Sequence, residues 1–396
     1  MTIKFSPPDI TEQEIAEVVD TLRSGWITTG PKTKKFEEKL REYVNAERIV
    51  CLNSATASME LGLRLFGIGE GDEVITSSYT YTASASVIDH VGAKIVLCDI
   101  QKDSLEMDYE QLKKLINKNT KAIIPIDVAG IPCDYDKIME IVNEKKDIFE
   151  PKNSYQEDLG RILVLSDSAH SFAGKYKGKN VCEVADITCY SFHAVKNLTT
   201  SEGGAIAIRR GLMDPDEFYE KIQHFSLHGQ SKDALSKTRI GSWEYDILGT
   251  YYKCNMTDIV SSIGLVQLDR FKGLEKRREE IVKKYNKNFE GSKVAALNHF
   301  LEDRTSTYHL YIANIEGVNE KERNRVIEEL AKKDIAANVH YKPLPLLTAY
   351  KNLGFDIKDF PNAMSRYKSE ITLPLHTLLT DEDVDLVSKE LIKIVG

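Results

Sequence analysis

The sequence predicts an α/β protein, with a large domain built on a mostly parallel sheet and a smaller C-terminal α+β domain. Short apolar runs that are typical of buried strands alternate with amphipathic helical patterns through the first half of the chain, and this alternation indicates βαβ units. At 396 residues the chain is also too long for one small hydrophobic core. We expect the large domain to span residues 1–270 and the small domain residues 271–396.

The first predicted element is a helix that Asp9 or Thr11 can cap. Its apolar face consists of Ile15, Val18, Val19 and Leu22. The loop 24–31 follows, and it combines glycine and proline with hydroxyl groups around Trp26. On these residues alone the loop is either a plain connection or part of a binding surface.

Short apolar strands with intervening helices make up the next part of the chain. The predicted strands are residues 49–52, 73–76, 94–98, 122–126, 162–165, 187–191 and 205–209. The helices predicted between them include residues 59–65, 109–116 and 135–143. The charged segment 144–160 has no periodicity, so we interpret it as a longer loop inserted at the surface.

The second half of the chain is more polar. Residues 217–243 have few apolar positions, and a helix is predicted through residues 259–268. A long charged helix at 274–288 is expected to lead into the small domain. The elements predicted there are the segment 308–315, the helix 320–333, the segment 339–341 and the closing helix 381–394.

Composition excludes several classes of protein. The net charge of −8 argues against a nucleic-acid-binding surface, because phosphate contacts need clustered lysine and arginine. No apolar stretch approaches the roughly 18 residues of a membrane span, and no signal peptide is recognisable at the N-terminus. The six cysteines form no C-x-x-C pair, which favours reduced, mostly buried thiols over disulfides or a metal site. We therefore expect a cytoplasmic enzyme without metal, nucleic-acid or membrane partners.

Lys196 is the centre of the candidate site. It lies between a predicted strand end and the glycine pair at 203–204. A single lysine is usually a solvated surface residue. The alternative is an amine that forms a Schiff base with a carbonyl cofactor such as pyridoxal phosphate.

The predicted strand ends favour that alternative. Ligands of parallel α/β sheets bind at the carboxyl ends of the strands. Here those ends supply a helix N-terminus with hydroxyls at 53–56, an aromatic loop at 77–81, the carboxylate of Asp167, and the stretch 191–196. Taken singly, each of these features could be a helix or turn cap or an ordinary polar residue at the surface. Together they provide a phosphate cradle, a flat group, a carboxylate for a pyridine nitrogen and an amine.

In these stretches the chain resembles the nucleotide-sugar aminotransferases, the DegT-type branch of the fold type I pyridoxal phosphate enzymes. The resemblance extends over nearly the whole chain. Its landmarks are residues 24–31, 53–57, 166–170, 191–196 with 202–204, 255–258, 339–343 and 372–375. It implies a mostly parallel seven-stranded sheet sandwiched by helices, a pyridoxal 5'-phosphate cofactor and a homodimer with shared active sites.

The resemblance also implies roles for matched positions. Lys196 would be the catalytic residue that holds the cofactor and moves the proton. The implied cofactor-binding residues are Ala55, Thr56 and Ser191 at the phosphate, Asp167 at the pyridine nitrogen, His170 near the ring hydroxyl, Ala169 beneath the ring and Tyr81 stacked on it. Asn255, with Lys253, falls in a segment that in this family reaches the neighbouring subunit's cofactor phosphate. The family's usual arginine there is replaced by Asn255.

Substrate contacts are expected from two further groups of residues. Trp26, Thr28 and Thr29 could line the substrate mouth, and His340 and Tyr341 could contact the sugar or nucleotide or give buried polar support. His193 is either a packing histidine or a substrate residue. In this family a histidine at that position accompanies amination at carbon 4 of the sugar, whereas a tyrosine more often accompanies carbon 3.

The predicted reaction is transamination of a nucleotide-linked 4-keto-6-deoxy sugar at C4. L-Glutamate would be the donor, and the products would be an amino sugar nucleotide for lipopolysaccharide or glycan biosynthesis and 2-oxoglutarate. Three alternatives remain at this point: amination at C3, a dehydratase branch of the family, and a non-catalytic regulatory protein of the same fold that retains the cofactor pocket. The dehydratase branch typically lacks the lysine, and Lys196 is present here. The identity of the nucleotide, whether uridine, thymidine or guanosine diphosphate, stays open.

Overall fold

A computed structural model describes residues 2–231 and 244–396. The strands in these ranges are β1 (Arg48–Leu52), β2 (Glu73–Ser77), β3 (Lys94–Cys98), β4 (Thr120–Ile124), β5 (Leu163–Asp167), β6 (Lys175–Tyr176), β7 (Lys179–Asn180), β8 (Ile187–Ser191), β9 (Gly204–Ile208), β10 (Val294–Ala296), β11 (Phe300–Leu301), β12 (Arg304–Thr305), β13 (Tyr311–Ile315) and β14 (Glu370–Leu373). The α-helices are α1 (Glu12–Ser24), α2 (Pro31–Val44), α3 (Ala55–Leu65), α4 (Ala83–His90), α5 (Tyr109–Leu115), α6 (Tyr135–Glu144), α7 (Ser154–Leu159), α8 (Pro215–Ser226), α9 (Asp258–Phe289), α10 (Glu320–Ala331), α11 (Thr348–Asn352), α12 (Pro361–Ser369) and α13 (Asp381–Val395).

A seven-stranded sheet in the order β1-β9-β8-β5-β4-β2-β3 forms the centre of the large part of the molecule. Strands β3, β2, β4, β5 and β8 pair in parallel, and β9 runs antiparallel to both of its neighbours, β8 and β1. The parallel strands share one carboxyl edge, so the polar residues that follow them meet there. The predicted mostly parallel sheet is confirmed.

Helices cover both faces of this sheet. Side chains alternate between the faces along each strand: Leu165 and Ile124 pack into the cluster under α3 and α4, whereas Val164 and Ile123 pack against α5 and α6. All five residues of β5 are buried, which explains why its sequence is a continuous apolar run rather than an alternating one.

The C-terminal part has its own core. An antiparallel sheet in the order β10-β13-β14 packs with α10, α13 and the C-terminal half of α9 around buried residues such as Tyr285, Tyr311 and Leu391. A small antiparallel sheet, β11-β12-β6-β7, joins this part to the large one through the pairing of Arg304 with Tyr176.

The region around residue 270 differs from the prediction. The helices predicted at 259–268 and 274–288 are one continuous helix, α9, so the prediction of two segments was wrong. Buried Leu268, Phe271 and Leu274 continue one apolar stripe across the join, and Gly273 between them does not break the helix. The boundary at 270/271 therefore lies inside α9, and the division into two domains stays a prediction.

Two polar segments are also more ordered than predicted. The segment 144–160, interpreted as a loop, contains α7, whose six residues are too few to show a helical period. Asn153 caps this helix, and its side chain and that of Gln156 both donate hydrogen bonds to the carbonyl oxygen of Phe66, at 3.0 and 2.7 Å. Within 217–243, residues up to Ser226 belong to α8, whereas residues 232–243 lie outside the described residues.

Five of the six cysteines are buried, and Cys254 is half-buried. No helix of the described residues is both long and apolar enough to cross a membrane.

Candidate active site

A cavity of about 510 Å³ opens at the carboxyl edge of the seven-stranded sheet. Ten of the residues predicted from the sequence line it: Ala55, Thr56, Tyr81, Asp167, His170, Ser191, His193, Lys196, His340 and Tyr341. Ala169, predicted beneath the ring, lines it as well. The sheet edge supplies most of this wall, and the segment between α10 and α11 supplies His340 and Tyr341.

The N-terminus of α3 presents unpaired backbone amides to the cavity. Ser54 is the N-cap, and its Oγ accepts a hydrogen bond from the Ala57 N–H at 3.1 Å. The amides of Ala55 and Thr56 precede the first intrahelical bond and are not used by this cap. Together with the helix dipole, they form a site suited to an anion.

Gly204 makes this arrangement possible. A Cβ built there would lie 2.3 Å from the Ser54 carbonyl carbon and 2.4 Å from the Ala55 nitrogen, so only glycine lets the start of β9 pass so close to the helix N-terminus. The glycine pair that follows Lys196 in sequence is thus a packing requirement of the anion site.

Asp167 lies at the end of β5 and is only 5% exposed. Ser84 Oγ donates to its Oδ2 at 2.6 Å, and the Ala169 N–H donates to its Oδ1 at 3.1 Å. Burial raises the pKa of this carboxyl, and these bonds and the charge of Lys196 oppose the rise. Asp167 lines the cavity, so a positively charged group of a ligand can reach its carboxyl.

A second buried carboxylate holds the turn after Asp167 in place. Asp127 Oδ2 accepts hydrogen bonds from Ser168 Oγ at 2.8 Å and from Ser171 Oγ at 2.6 Å. Its Oδ1 accepts from Tyr135 Oη and from the Cys133 N–H, both at 2.9 Å. Burial raises the pKa of Asp127 to about 6, but these four donors account for its oxygens, which is the behaviour of a structural group.

Lys196 projects from the loop that joins β8 to β9. The backbone closes this loop through Phe192 N–H to Gly203 O at 2.8 Å and Thr200 N–H to Phe192 O at 2.9 Å. Burial lowers the pKa of Lys196 to about 8, and the charge of Asp167 opposes this shift. A lysine with such a pKa is a neutral amine in a substantial fraction of molecules near neutral pH, as a nucleophile or proton carrier requires.

His170 and Tyr341 form a hydrogen-bonded pair in the cavity. His170 Nε2 lies 3.0 Å from Tyr341 Oη, and His170 Nδ1 accepts the Ala129 N–H at 3.3 Å. Burial lowers the pKa of His170 well below its usual range, and the charge of Lys196 lowers it further. His170 is therefore a neutral imidazole at neutral pH.

His340 is held from three sides. Its backbone N–H donates to Glu370 Oε2 at 3.0 Å, and its Nδ1 lies 3.1 Å from Thr372 Oγ1. Phe5 stacks on its ring with centroids 5.5 Å apart and an interplanar angle of 15°. Burial lowers the pKa of His340 to about 4. These contacts support the buried structural role that the sequence left open for His340.

His193 and Tyr81 lie on the open side of the cavity. The His193 side chain is 48% exposed, and its Nε2 lies 3.6 Å from Glu202 Oε1. The packing interpretation of His193 is therefore wrong. Tyr81 is 62% exposed, with its ring centroid 6.2 Å from that of Tyr341. Both side chains are accessible to a ligand that enters the cavity.

Four predicted site residues lie outside this cavity. Asn255 Nδ2 donates to Thr29 Oγ1, Thr29 Oγ1 donates to the Met256 carbonyl, and Trp26 Nε1 donates to the Thr29 carbonyl at 3.1 Å. Thr28 accepts the Asp258 N–H through its carbonyl oxygen at 3.0 Å. These residues (Trp26, Thr28, Thr29 and Asn255, the Asn255 cluster) form one group that does not line the substrate mouth of their own protomer.

Sequence reasoning missed part of the cavity wall. Phe5, Ser6, Asn338, Glu202 and His309 line it as well. His309 is buried, and its ring centroid lies 4.4 Å from that of His170. No local pattern marks His309 or Phe5 as site residues, because each reaches the cavity through contacts between segments far apart in the chain.

The donor set fits pyridoxal 5'-phosphate. A helix N-terminus with free amides beside Ser191 suits its phosphate, the buried carboxyl of Asp167 suits a protonated pyridine nitrogen, and the amine of Lys196 suits its aldehyde. This combination on a parallel-sheet edge is typical of pyridoxal phosphate-dependent enzymes.

Comparison with known proteins identifies the family. Residues 8–392 match the DegT/DnrJ/EryC1/StrS aminotransferase family. The UDP-4-amino-4-deoxy-L-arabinose–oxoglutarate aminotransferase of Shewanella sediminis is 32% identical over 411 residues, with 100% of both chains covered. The spore coat polysaccharide biosynthesis protein SpsC of Bacillus subtilis is 35% identical over 399 residues, covering 99% of this chain and 97% of the relative.

A solved structure agrees with this assignment. A putative sugar aminotransferase from Streptococcus pneumoniae, in its PLP form, superposes with a TM-score of 0.96 at 53% identity and covers 100% of this chain and 99% of its own. Its PMP form gives a TM-score of 0.97 at 55% identity, with 99% of both chains covered. The chain therefore belongs to the DegT/DnrJ/EryC1/StrS aminotransferase family. It is a sugar aminotransferase with pyridoxal phosphate as its cofactor, which confirms the predicted enzyme class and cofactor.

Proposed function

We propose that the enzyme transfers the amino group of L-glutamate to C4 of a nucleotide-linked 4-keto-6-deoxy sugar. The products are the amino sugar nucleotide and 2-oxoglutarate. The observation that carries the proposal is Lys196, a buried amine with a pKa near 8 in the same cavity as Asp167 and the free N-terminus of α3. The name of the Shewanella relative supports the donor and the position, because it joins oxoglutarate to a 4-amino sugar carried by UDP.

The proposed roles of the cofactor-binding residues follow from their chemistry. The amides of Ala55 and Thr56 and the hydroxyl of Ser191 hold the phosphate, and Asp167 accepts the hydrogen bond of the protonated ring nitrogen. Pyridoxal phosphate, when bound, supplies an electron sink for the carbon that loses its proton. Tyr81, exposed at the cavity mouth, packs over the face of the ring.

Lys196 moves the proton in both half-reactions. Its amine is close to half-neutral near pH 8, so it can take a proton from the substrate carbon and return it elsewhere. His170 remains uncharged at this pH and keeps Tyr341 in place through its 3.0 Å hydrogen bond.

His193 supports amination at C4. Its imidazole is exposed in the cavity wall two residues beyond Ser191 and lies beside Glu202, within reach of a sugar rather than packed in a core. Its hydrogen-bonding groups suit a sugar hydroxyl or the keto oxygen. Tyr341 completes the proposed sugar side of the cavity, and His340 supports it from behind through its bonds to Glu370 and Thr372.

We also propose a homodimer in which each subunit completes the other's site. The Asn255 cluster does not line the cavity of its own chain, and exposed apolar residues such as Ile247, Leu248 and Tyr251 lie next to it in the chain. Exposed apolar surface of this kind is typical of a surface that a second copy covers. Asn255 and Trp26 would then contact the ligand of the neighbouring subunit.

A substrate panel tests the function. Purified enzyme is incubated with L-glutamate and 4-keto-6-deoxy sugars carried by uridine, thymidine or guanosine diphosphate, and NMR assigns the aminated carbon of the product. We expect turnover with one nucleotide and the amino group at C4. Transamination places the amine on the carbon that carries the keto oxygen, so the corresponding 3-keto sugars are tested in parallel. Turnover of a 3-keto sugar in place of the 4-keto sugars, or no turnover with any 4-keto sugar, contradicts the proposal.

His193→Tyr is the matched variant for the position of amination. We expect it to lower kcat/KM for the 4-keto sugar by about 10-fold, because a phenol cannot replace both hydrogen-bonding nitrogens of the imidazole. The half-reaction with glutamate alone should be unchanged. A variant with wild-type kcat/KM for the sugar would remove His193 from the substrate site.

A further inference from the structure

His309 is a buried histidine of the cavity wall that the proposed reaction does not use. It is 4% exposed and lies between the loop that carries Lys196 and the ring of His170. Its position comes from the small part of the molecule, just before β13. The contacts on its two sides indicate what it does.

On one side His309 contacts the residue that follows Lys196. Asn197 Nδ2 donates to the Thr307 carbonyl oxygen at 2.6 Å, which fixes the orientation of the amide because a carbonyl can only accept. Asn197 Oδ1 therefore faces His309 Nδ1, 2.8 Å away, and His309 carries its proton on Nδ1. This bond holds the loop at the position next to the catalytic lysine.

On the other side the ring of His309 packs on His170. Their centroids are 4.4 Å apart with an interplanar angle of 43°. Tyr341 approaches the Nε2 edge of His170, with a hydroxyl-to-nitrogen distance of 3.0 Å, a ring centroid distance of 6.1 Å and an interplanar angle of 19°. His170 is thus packed against one ring and hydrogen-bonded to the hydroxyl of another. Its plane, and with it the direction of both ring nitrogens, is set by this packing.

The tautomer of His170 follows from the same neighbourhood. The Ala129 N–H donates to Nδ1, so the neutral imidazole carries its proton on Nε2 and donates it to Tyr341 Oη. Tyr341 then has its own hydroxyl proton free for a group in the cavity. The backbone N–H of His309 donates to the Ala129 carbonyl at 3.0 Å, which holds Ala129 in position to donate its own N–H to His170.

We propose that His309 is a positioning residue of the aminotransferase reaction. Through Asn197 it fixes the loop that carries Lys196, and through ring packing it fixes His170 so that Tyr341 presents its hydroxyl proton to the cavity. The inference rests on the proposed role of Lys196 in both half-reactions and adds a role for the Tyr341 hydroxyl in the half-reaction with glutamate. It does not depend on the identity of the sugar.

His309→Phe tests the proposal, with His299→Phe as the matched control. His299 is equally buried and bonded at both nitrogens, to Ser306 Oγ at 2.7 Å and to the Leu310 carbonyl at 3.0 Å, but it does not line the cavity. The measurement is the rate at which glutamate alone changes the visible absorbance of the holoenzyme. We expect His309→Phe to slow it about 30-fold with little change in the glutamate concentration at half-maximal rate, and His299→Phe to slow it less than about 3-fold.

A double-mutant cycle separates positioning from general loosening. If His309 acts through Tyr341, combining His309→Phe with Tyr341→Phe should cost less than the product of the two single effects. Fully multiplicative losses, a wild-type rate for His309→Phe, or equal slowing by His309→Phe and His299→Phe would each overturn the proposal. If His309→Phe does not fold, Asn197→Ala removes the same bond from the other partner, and a wild-type rate there also overturns it.

The pH dependence gives a readout that is independent of the proposed donor. The titratable and charged groups around His309 are His170, Lys196, Arg278 and His340. We expect the pH midpoint of the holoenzyme's visible absorbance to shift by about one unit in His309→Phe and not in His299→Phe. If glutamate does not change the visible absorbance of the wild-type holoenzyme, only the proposed amino donor is contradicted. An unshifted pH midpoint in His309→Phe contradicts the role of His309.

Discussion

Two regions carry predicted site residues, and they differ in how complete they are within one chain. At the carboxyl edge of the parallel sheet, Asp167, Lys196 and the N-terminus of α3 face one cavity. The Asn255 cluster forms hydrogen bonds among its own members and lies outside that cavity. Residues at a sheet edge are brought together by the strands themselves. Asn255, which is 9% exposed and bonded within its own group, needs the surface of a second subunit to contribute to a site in the proposed homodimer.

The two regions also differ in the charges of their side chains. The groups at the sheet edge have shifted pKa values, because burial acts on Asp167, His170 and Lys196 together. In the Asn255 cluster the side chains are one amide, two hydroxyls and an indole, which are neutral. The adjoining Lys253, whose ammonium donates to Asn255 Oδ1, adds one charged group, and burial lowers its pKa. The first region is suited to moving protons, and the second to binding.

Lys196→Ala gives the largest expected effect, because it removes the amine at the centre of the sheet-edge region. We expect turnover to fall by roughly 10⁴-fold or more and the visible absorbance of the holoenzyme to be lost. Circular dichroism and the melting temperature should stay close to wild type, since the lysine borders a cavity. Substantial transaminase activity in this variant would contradict its assignment as the catalytic residue.

Asp167→Asn gives the next largest expected effect. An amide cannot supply the negative charge that keeps a pyridine nitrogen protonated, so we expect the rate with glutamate to fall by roughly 100- to 1,000-fold. Some cofactor binding should remain, because the anion site at α3 is unchanged. Ser84→Ala is a milder control that removes one hydrogen bond to the same carboxyl. A near-normal rate in Asp167→Asn would remove this residue from the ring nitrogen.

Asn255→Ala tests whether the second region completes a site. If Asn255 binds the cofactor phosphate of the partner, its loss should weaken cofactor affinity about 10- to 100-fold, which equilibrium dialysis measures. Mixing Lys196→Ala with Asn255→Ala subunits should then restore about a quarter of wild-type activity, because a mixed dimer contains one intact site.

The matched control for this experiment mixes Lys196→Ala with Asp167→Asn. Both residues lie on the wall of one cavity, so every site of the mixed dimer carries one lesion and activity should not return. Recovery in the control, or none in the Asn255 mixture, would show that the two regions are not related in the way we propose.

The pH dependence of cofactor loading is the smallest effect. The folded pKa of Lys196 is about 8, below the ordinary value, so the amine is protonated and unreactive below that pH and neutral above it. We expect the rate at which apoenzyme takes up pyridoxal phosphate to rise about 10-fold between pH 6.5 and 7.5 and to level off above pH 8.5. Stopped-flow absorbance measures it, and a rise that continues to pH 10 would show an unshifted lysine.

Local patterns were enough to predict the seven strands of the large sheet and the residues at its edge, but not the two- and three-residue strands β6, β7, β10, β11 and β12. A buried strand is an apolar run, and the polar residue that ends it is visible in the sequence, as Asp167 is after 162–165. Ser54 and the small residues after it predict a helix start in the same way. The prediction was weaker where an element is short or its pattern is interrupted, as at α7 and at Gly273 in α9.

His309 and Phe5 show why the rest of the cavity wall could not be predicted from the sequence. His309 contacts Asn197 and His170, which are more than 100 residues away in the chain. Phe5 reaches His340 from the opposite end of the sequence. Neither belongs to a motif that requires its side chain, so only the packing of the small part on the large one reveals them.

The sequence by itself determined the fold class, the class of chemistry and the residues at the centre of the site. The carboxyl ends of parallel strands lie at one edge of the sheet, so polar residues that follow predicted strands come together there. The tertiary structure decided the state of those residues. The pKa of Lys196, the neutral form of His170 and the orientation of Tyr341 depend on burial and on partners from other segments. The cost of leaving water and the direction of a hydrogen bond are properties of the folded surroundings, and no single stretch of sequence contains them.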